Sequence, residues 1–403
     1  FEARGKMAGN QQRLDRRRQY TGPEFLKEGF RPLFMAAGIW AALAVPVWVA
    51  VWSGLISYNG IFPPQVWHIH EMMFGFVAAA VGGFILTAVP NWTGRLPVRG
   101  MPLAGLALLW LAGRLAVWFS SSTGPIAAAA IDLLYLTALV LCVGRELFAG
   151  RNWKNAPVLG ALALLLGANG LFHLDAAGIA ETGGLAIRLS IAAMALLVAL
   201  IGGRVVPSFT RNWFAKNGGP EIASPMAGFD IAVLFATVIA LFFWVASGEG
   251  SAAGTALVVA GLLNLARLAR WRGWKTTGEG LVTILHVGYL WLSVGLTLLG
   301  VSMLYDAMTT AAALHMLTLG AMGTMTLAVM TRAILGHTGR DLHAGPATIA
   351  IYVFVTVAMI LRVAYGFAPG TGLIWASAGF WTMAFALFVW VYAPMTWRKR
   401  AAK

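Results

Sequence analysis

The 403-residue sequence holds one cysteine and only 15 acidic residues, and charged residues of both signs make up just 11% of it. A single thiol, Cys142 within an apolar run, excludes a disulfide framework and any Cys-x-x-Cys metal or redox motif. Soluble domains carry roughly 25% charged residues, so this scarcity excludes an ordinary soluble fold. No apolar segment of signal-peptide type precedes Pro32, and a cleavable signal is not expected here. What the chain has instead is apolar mass: 59% hydrophobic residues and a mean hydropathy of +0.75. That composition predicts an all-α integral membrane protein.

Runs near the ~20 residues needed to cross a bilayer fall at 33–55, 66–90, 102–119, 125–148, 156–177 and 184–206. Six more fall at 227–247, 252–270, 279–304, 310–335, 347–368 and 372–395. Twelve spans with short connections leave no room for a soluble domain. A single membrane domain over 33–395 is expected, with a basic arm at 1–32 and a basic tail at 396–403. Prolines punctuate the predicted ends, at Pro63, Pro64, Pro102, Pro125, Pro157, Pro207, Pro346 and Pro394.

The net charge of +14 would point to nucleic acid in a soluble protein, but the distribution of the basic residues gives another account and no nucleic-acid partner is expected. Eight of the 29 Lys and Arg lie in the arm and four in the tail. Loops 91–101, 144–156, 207–226, 264–280 and 331–346 hold 2, 3, 2, 4 and 2, and the six intervening loops hold none. By the positive-inside rule both termini are cytoplasmic. Arg13, Arg16, Arg17 and Arg18 read as a topology anchor that also meets anionic lipid. Arg114, Arg188 and Arg362 fall inside spans, four to six residues from the opposite face. They either snorkel to that interface or neutralise an anionic group such as haem propionates.

The stretch 67–95 recurs. His70, Gly75, Ala88 and Thr93-Gly94-Arg95 coincide, at an offset of 245 residues, with His315, Gly320, Ala333 and Thr338-Gly339-Arg340. The copies are spans 2 and 10, a separation that suits three pseudo-repeated four-helix units, with span 6 as the middle copy. His68, His70, His173 and His315 all map to the same third of the bundle, whereas a lone buried histidine is usually only a satisfied polar group. Imidazole donors without thiolates, and with few carboxylates, suit Fe, Cu or Zn rather than Fe–S, Ca or Mg. At about 100° per residue, His68 and His70 are about 200° apart and address different partners. His70 and His315, equivalent in the repeat, would clamp a haem iron axially, leaving His68 and His173 for copper. Glu71, three residues after His68, and Asp132, inside span 4, are the candidate proton relay. His286 lies toward the other face and serves a second site, a proton path with Tyr289, or packing; His337 and His343 fall in a loop.

These residues carry a resemblance. Phe30-Arg-Pro-Leu-Phe34, His68-Ile-His-Glu-Met72, Thr87-Ala-Val-Pro-Asn-Trp92 and Pro207-Ser-Phe-Thr210 resemble motifs of the NnrS family of membrane proteins. So do His286-Val-Gly-Tyr-Leu-Trp291, Leu314-His-Met-Leu-Thr-Leu-Gly-Ala321 and Leu335-Gly-His-Thr-Gly-Arg340. The resemblance implies a protein of the bacterial inner membrane containing haem (of b type) and copper, linked to nitric oxide and nitrosative stress. A looser likeness is to haem-copper oxidases and nitric oxide reductases, which use twelve helices in three arcs. The chain lacks their His-His pair on helix 7 and their His-x-His on helix 10, so that likeness is architectural.

Three functions follow as expectations. The first is a membrane oxidoreductase that reduces nitric oxide to N2O with electrons from an unknown donor. The second is a non-catalytic haem/copper protein that binds or sequesters nitric oxide, or handles metal. The third, a plain twelve-helix transporter, has the repeat and the histidine cluster against it.

Overall fold

The computed structural model describes residues 20–222, 226–305 and 308–401. The arginines expected to anchor the N-terminal arm lie outside these residues. Among the described residues, twelve helices are long and apolar enough to cross a membrane, and none of the elements is a strand. They are α1 (Phe30–Trp52), α2 (Pro64–Thr93), α3 (Met101–Trp118), α4 (Pro125–Ala149), α5 (Trp153–Ala176) and α6 (Leu185–Asn217). The second half comprises α7 (Gly228–Ser247), α8 (Ser251–Lys275), α9 (Gly280–Leu304), α10 (Thr310–His337), α11 (Pro346–Ala364) and α12 (Thr371–Trp397). The protein is therefore an all-α, multi-pass membrane protein. Large apolar side chains such as Leu141, Phe235, Phe242 and Trp390 point outward, where lipid tails replace water as their surroundings.

One expected helix end is corrected. The sixth span does not stop at Pro207 but continues to Asn217. Pro394 also lies inside its helix, which ends at Trp397 close to the expected 395, as Pro46 and Pro90 lie inside theirs. A proline removes one backbone donor, and membrane helices tolerate it where neighbouring hydroxyls re-satisfy the freed carbonyls. Pro207 leaves Gly203 O without its usual backbone donor. The hydroxyls nearby go to other carbonyls of the same turn, Ser208 donating to Arg204 O at 2.6 Å and Thr210 to Val206 O at 2.8 Å. His337 is likewise not a loop residue: it ends α10, with its ring 5.4 Å from that of Phe30.

Three helices, α2, α6 and α10, are the most buried of the twelve and form the centre. Each contains a π-helical stretch, at Glu71–Val77, Val198–Gly202 and Met316–Gly323. Such turns carry one extra residue, are rare in helices, and often mark functional positions. Around this centre, sequence neighbours pack side by side, and α12 returns to α1, with Trp381 Nε1 donating to Ala41 O at 2.8 Å. Arg31, buried at the start of α1, donates to Thr396 O at 2.8 Å and Arg398 O at 3.1 Å and pairs with Glu24 and Glu28. One guanidinium thus fastens both ends of the bundle together.

Close helix approach depends on glycine at the α8–α9 contact. A Cβ added to Gly300 would lie 2.4 Å from Gly254 O, and one on Gly261 2.2 Å from the Thr297 hydroxyl. Small residues let membrane helices pack backbone to backbone. Gly300→Ala is expected to force these helices apart at a cost of about 1–3 kcal/mol, the usual penalty of overpacking. It would register as a lower thermal-denaturation temperature in detergent, and an unchanged temperature would contradict the close approach.

Candidate functional site

The start of α2 supplies two histidines to two different places. Pro64 begins the helix, and its first seven residues, Pro64–His70, are regular α-helix before the π-helical stretch. His68 and His70 therefore leave the axis on different sides, as the helical angle requires.

His70 is fully buried and points toward α3, α4 and α5. Its Nδ1 lies 3.1 Å from Glu71 Oε1, and its Nε2 lies 2.9 Å from Asn169 Oδ1 and 3.2 Å from Asp132 Oδ2. His173 Nε2 is 3.0 Å from the same Asp132 oxygen, which also accepts from Asn169 Nδ2 at 2.9 Å. Arg114 closes the network, donating to Glu71 Oε1 at 2.7 Å and to Asp132 Oδ1. The donor atoms of His70, Asp132 and His173 all lie within 4.8 Å of one another, close enough to share a metal ion. Two imidazoles and one carboxylate suit Fe(II), Zn or Cu. Glu71 Oε2 and His173 Nδ1 are buried without a partner, so the cluster keeps unused donor capacity.

A cap of aromatic residues covers this cluster. Phe62 stacks on His70 with ring centroids 4.9 Å apart and tilts against His173 at 5.4 Å. Tyr58 leans on Trp67 and Trp118 from the α1–α2 loop. Its burial, and after that the charge of Glu71, raise the phenol above its ordinary range, so Tyr58 keeps its proton at neutral pH.

His68 takes the opposite direction. It lines a cavity of about 190 Å³ with His315, Arg362, Trp48, Met72 and Trp381, and none of the described lining residues is acidic. Trp48 stacks on the His68 ring at 4.3 Å, and His68 Nδ1 is buried with no partner. His315 Nδ1 lies 2.7 Å from Ala311 O. A carbonyl only accepts, so Nδ1 carries the hydrogen and Nε2 is the lone-pair nitrogen. That is the tautomer a metal-ligating imidazole needs.

The structure thus groups the histidines differently from the expected pairing. His70 is not brought together with His315, and His68 is not brought together with His173. His315 shares a cavity with His68, and His173 shares a carboxylate with His70. Both nitrogens of His70 face oxygen acceptors, which leaves no outward lone pair for a second partner across the bundle. Glu71 also differs from expectation: it joins His70 rather than His68, because it is the first residue of the wide turn and its carboxylate is drawn to Arg114.

The three arginines separate as well. Arg114 is held by two carboxylates, and Arg188 donates to Val245 O and Gly183 O at the helix ends; only Arg362 reaches the histidine cavity. His286 and Tyr289 lie on α9 away from both sites. Tyr289 donates to Asn264 Oδ1 at 2.7 Å and accepts from Arg267 at 2.9 Å, and Arg267 also pairs with Asp230 at 2.6 Å. His343 sits in the α10–α11 loop beside Glu279, with its Nδ1 2.9 Å from Oε2.

Two participants were missed in the sequence. Asn169 is four residues before His173 on α5, and that spacing places both on one helix face, a usable signal. Arg267 had been counted among the loop charges, although α8 continues to Lys275 and buries it against Asp230.

A comparison with curated proteins returns no match. The family model described as NnrS protein matches residues 24–400, from just before α1 to just past α12. A match over nearly the whole chain, with both histidine sites inside it, carries the assignment: the chain belongs to the NnrS family.

Proposed function

We propose that this protein is a haem- and copper-binding protein of the bacterial inner membrane that acts on nitric oxide and reduces it to N2O. The observation that carries the proposal is the pair of histidine sites mounted on one turn of α2, His68 with His315 and His70 with Asp132 and His173. The donor set of the first site fits haem: two imidazoles, one of them in the ligating tautomer, apolar aromatic walls, and Arg362 to meet an anionic propionate. The second fits a smaller ion such as copper. Held by these residues, a haem would supply the electron-transfer chemistry that the reaction needs.

The chain's own residues contribute position, dryness and protons. His68 is braced by Trp48, and the apolar lining keeps water from a small neutral substrate. Reducing two nitric oxide molecules to N2O and water consumes two protons. Glu71 and Asp132 would relay them through His70 and His173, the imidazoles they contact. Twelve spans would put both chain ends on the side of the basic loops, and the positive-inside rule would make that side the cytoplasm. The π-helical stretches in α2, α6 and α10, four helices apart, support the reading of three repeated four-helix units.

Purified protein supplied with an artificial electron donor is expected to consume nitric oxide continuously, with N2O appearing in a 1:2 ratio. Stoichiometric uptake without N2O would instead establish the second reading, non-catalytic nitric oxide binding or metal handling. The sealed state of the His70–Asp132–His173 cluster, already paired with Arg114, favours that reading. Absence of both a haem band and copper would reject both.

A further inference from the structure

The flank of α8 and α9, far from both histidine sites, carries a second built cavity. It has a volume of about 370 Å³, and its lining includes Leu268, Trp274, Thr283, His286 and Leu290. That volume lies within the ~300–1,000 Å³ typical of small-molecule sites. None of its described lining residues is charged, and Trp274 and Leu290 are exposed on the outer surface of the bundle. Such a lining suits a neutral molecule that arrives through the bilayer.

The hydrogen bonds of His286 define the chemistry of that molecule further. The side chain is 7% exposed, and Nε2 lies 2.8 Å from Thr210 Oγ1. The Thr210 hydroxyl has one hydrogen, and it goes to Val206 O at 2.8 Å. Thr210 must therefore accept from His286, so Nε2 carries the imidazole hydrogen. Nδ1 is then a bare lone pair, and it is buried with no partner. A buried acceptor without a donor costs about 1–3 kcal/mol. A ligand that brings an O–H to this nitrogen removes that cost, and one that brings only a carbonyl does not. Gly273 lies on the wall beside Nδ1, where a Cβ would come within 2.4 Å of the nitrogen and close it off. Trp271 sets the ring from the other side, with centroids 6.4 Å apart.

We propose that this cavity binds a membrane quinol, with a phenolic O–H donating to His286 Nδ1 and the ring beside Trp274. On the nitric oxide reading above, the site would supply the missing electron donor, but quinol binding does not depend on that reading. The distinction from a bound phospholipid rests on the uncharged lining and on the demand for a hydroxyl.

The test uses the full-length protein in phosphatidylcholine nanodiscs, titrated with decylubiquinol and, separately, decylubiquinone, with no nitric oxide present. The quinol is expected to bind about tenfold more tightly than the quinone, the ratio for one hydrogen bond near the upper end of its usual worth. His286→Phe keeps the ring volume, removes the acceptor and should abolish the preference. Leu290→Trp fills the cavity from the lipid side and should weaken both ligands while leaving His286 intact. Equal affinity for quinol and quinone, or binding unchanged in both variants, would overturn the proposal. Displacement of the quinol by added anionic phospholipid would do the same and identify the site as a lipid site. In a separate assay with nitric oxide supplied, failure of N2O formation alongside intact quinol binding would count against the nitric oxide reading only.

Discussion

His68→Ala and His315→Ala are each expected to remove or strongly shift the haem absorption band of the purified protein, whereas His70→Ala leaves the band in place. The reason is geometric: His68 and His315 line one cavity, while His70 turns away from it with both ring nitrogens on oxygen acceptors. If these two imidazoles hold a haem, removing either would change the spin state or the retention of its iron, so the effect would be a lost or displaced band rather than a small shift. His70→Ala should instead lower the non-haem metal content, as should His173→Ala. His343→Ala, out in the α10–α11 loop beside Glu279, should change neither. A band lost in His70→Ala but kept in His68→Ala would restore the pairing of His70 with His315 that the sequence repeat implies.

The second large effect concerns stability. Arg114→Leu removes the one guanidinium that faces both Glu71 and Asp132 in a site almost fully buried. Breaking one side of a buried ion pair costs about 3–5 kcal/mol, mostly because the remaining charge has no counter-charge. The expected result is a marked fall in folded, detergent-extractable protein and in its denaturation temperature. Adding Asp132→Asn and Glu71→Gln to Arg114→Leu removes the stranded charges and should recover much of the loss. If the triple variant is no more stable than the single one, the network is held by packing rather than by charge. The cost would then belong to the lost guanidinium stem.

The helix count was legible because length and hydropathy alone decide what can cross a bilayer. The divergence of His68 and His70 was legible because two residues of regular helix separate them by about 200°. Their partners were not. The recurrence of residues links His70 to His315, but a shared sequence position does not fix the direction of a side chain. The wide turn that begins at Glu71 inserts one residue and offsets everything after it by about 100° from a regular wheel. Glu71 opens that turn and is not moved by the offset; its place three residues after His68 puts it near that face, but Arg114 draws its carboxylate to the His70 side. Arg267 was obscured by a different effect: charges near helix ends look like loop charges until the helix is seen to run past them.

The buried cluster around Asp132 has a further consequence when considered as an electroneutral unit. With Glu71 and Asp132 ionised, two negative charges face one positive charge from Arg114. A net charge of −1 in a membrane interior is costly, so the cluster holds a standing demand for one more unit of positive charge. One proton shared by His70 and His173 meets it, and so does one monovalent ion, whereas a divalent ion overshoots it by one. A metal ion entering the cluster would compete with that proton for the same vacancy of charge, and its binding would release a proton from the histidines that receive it.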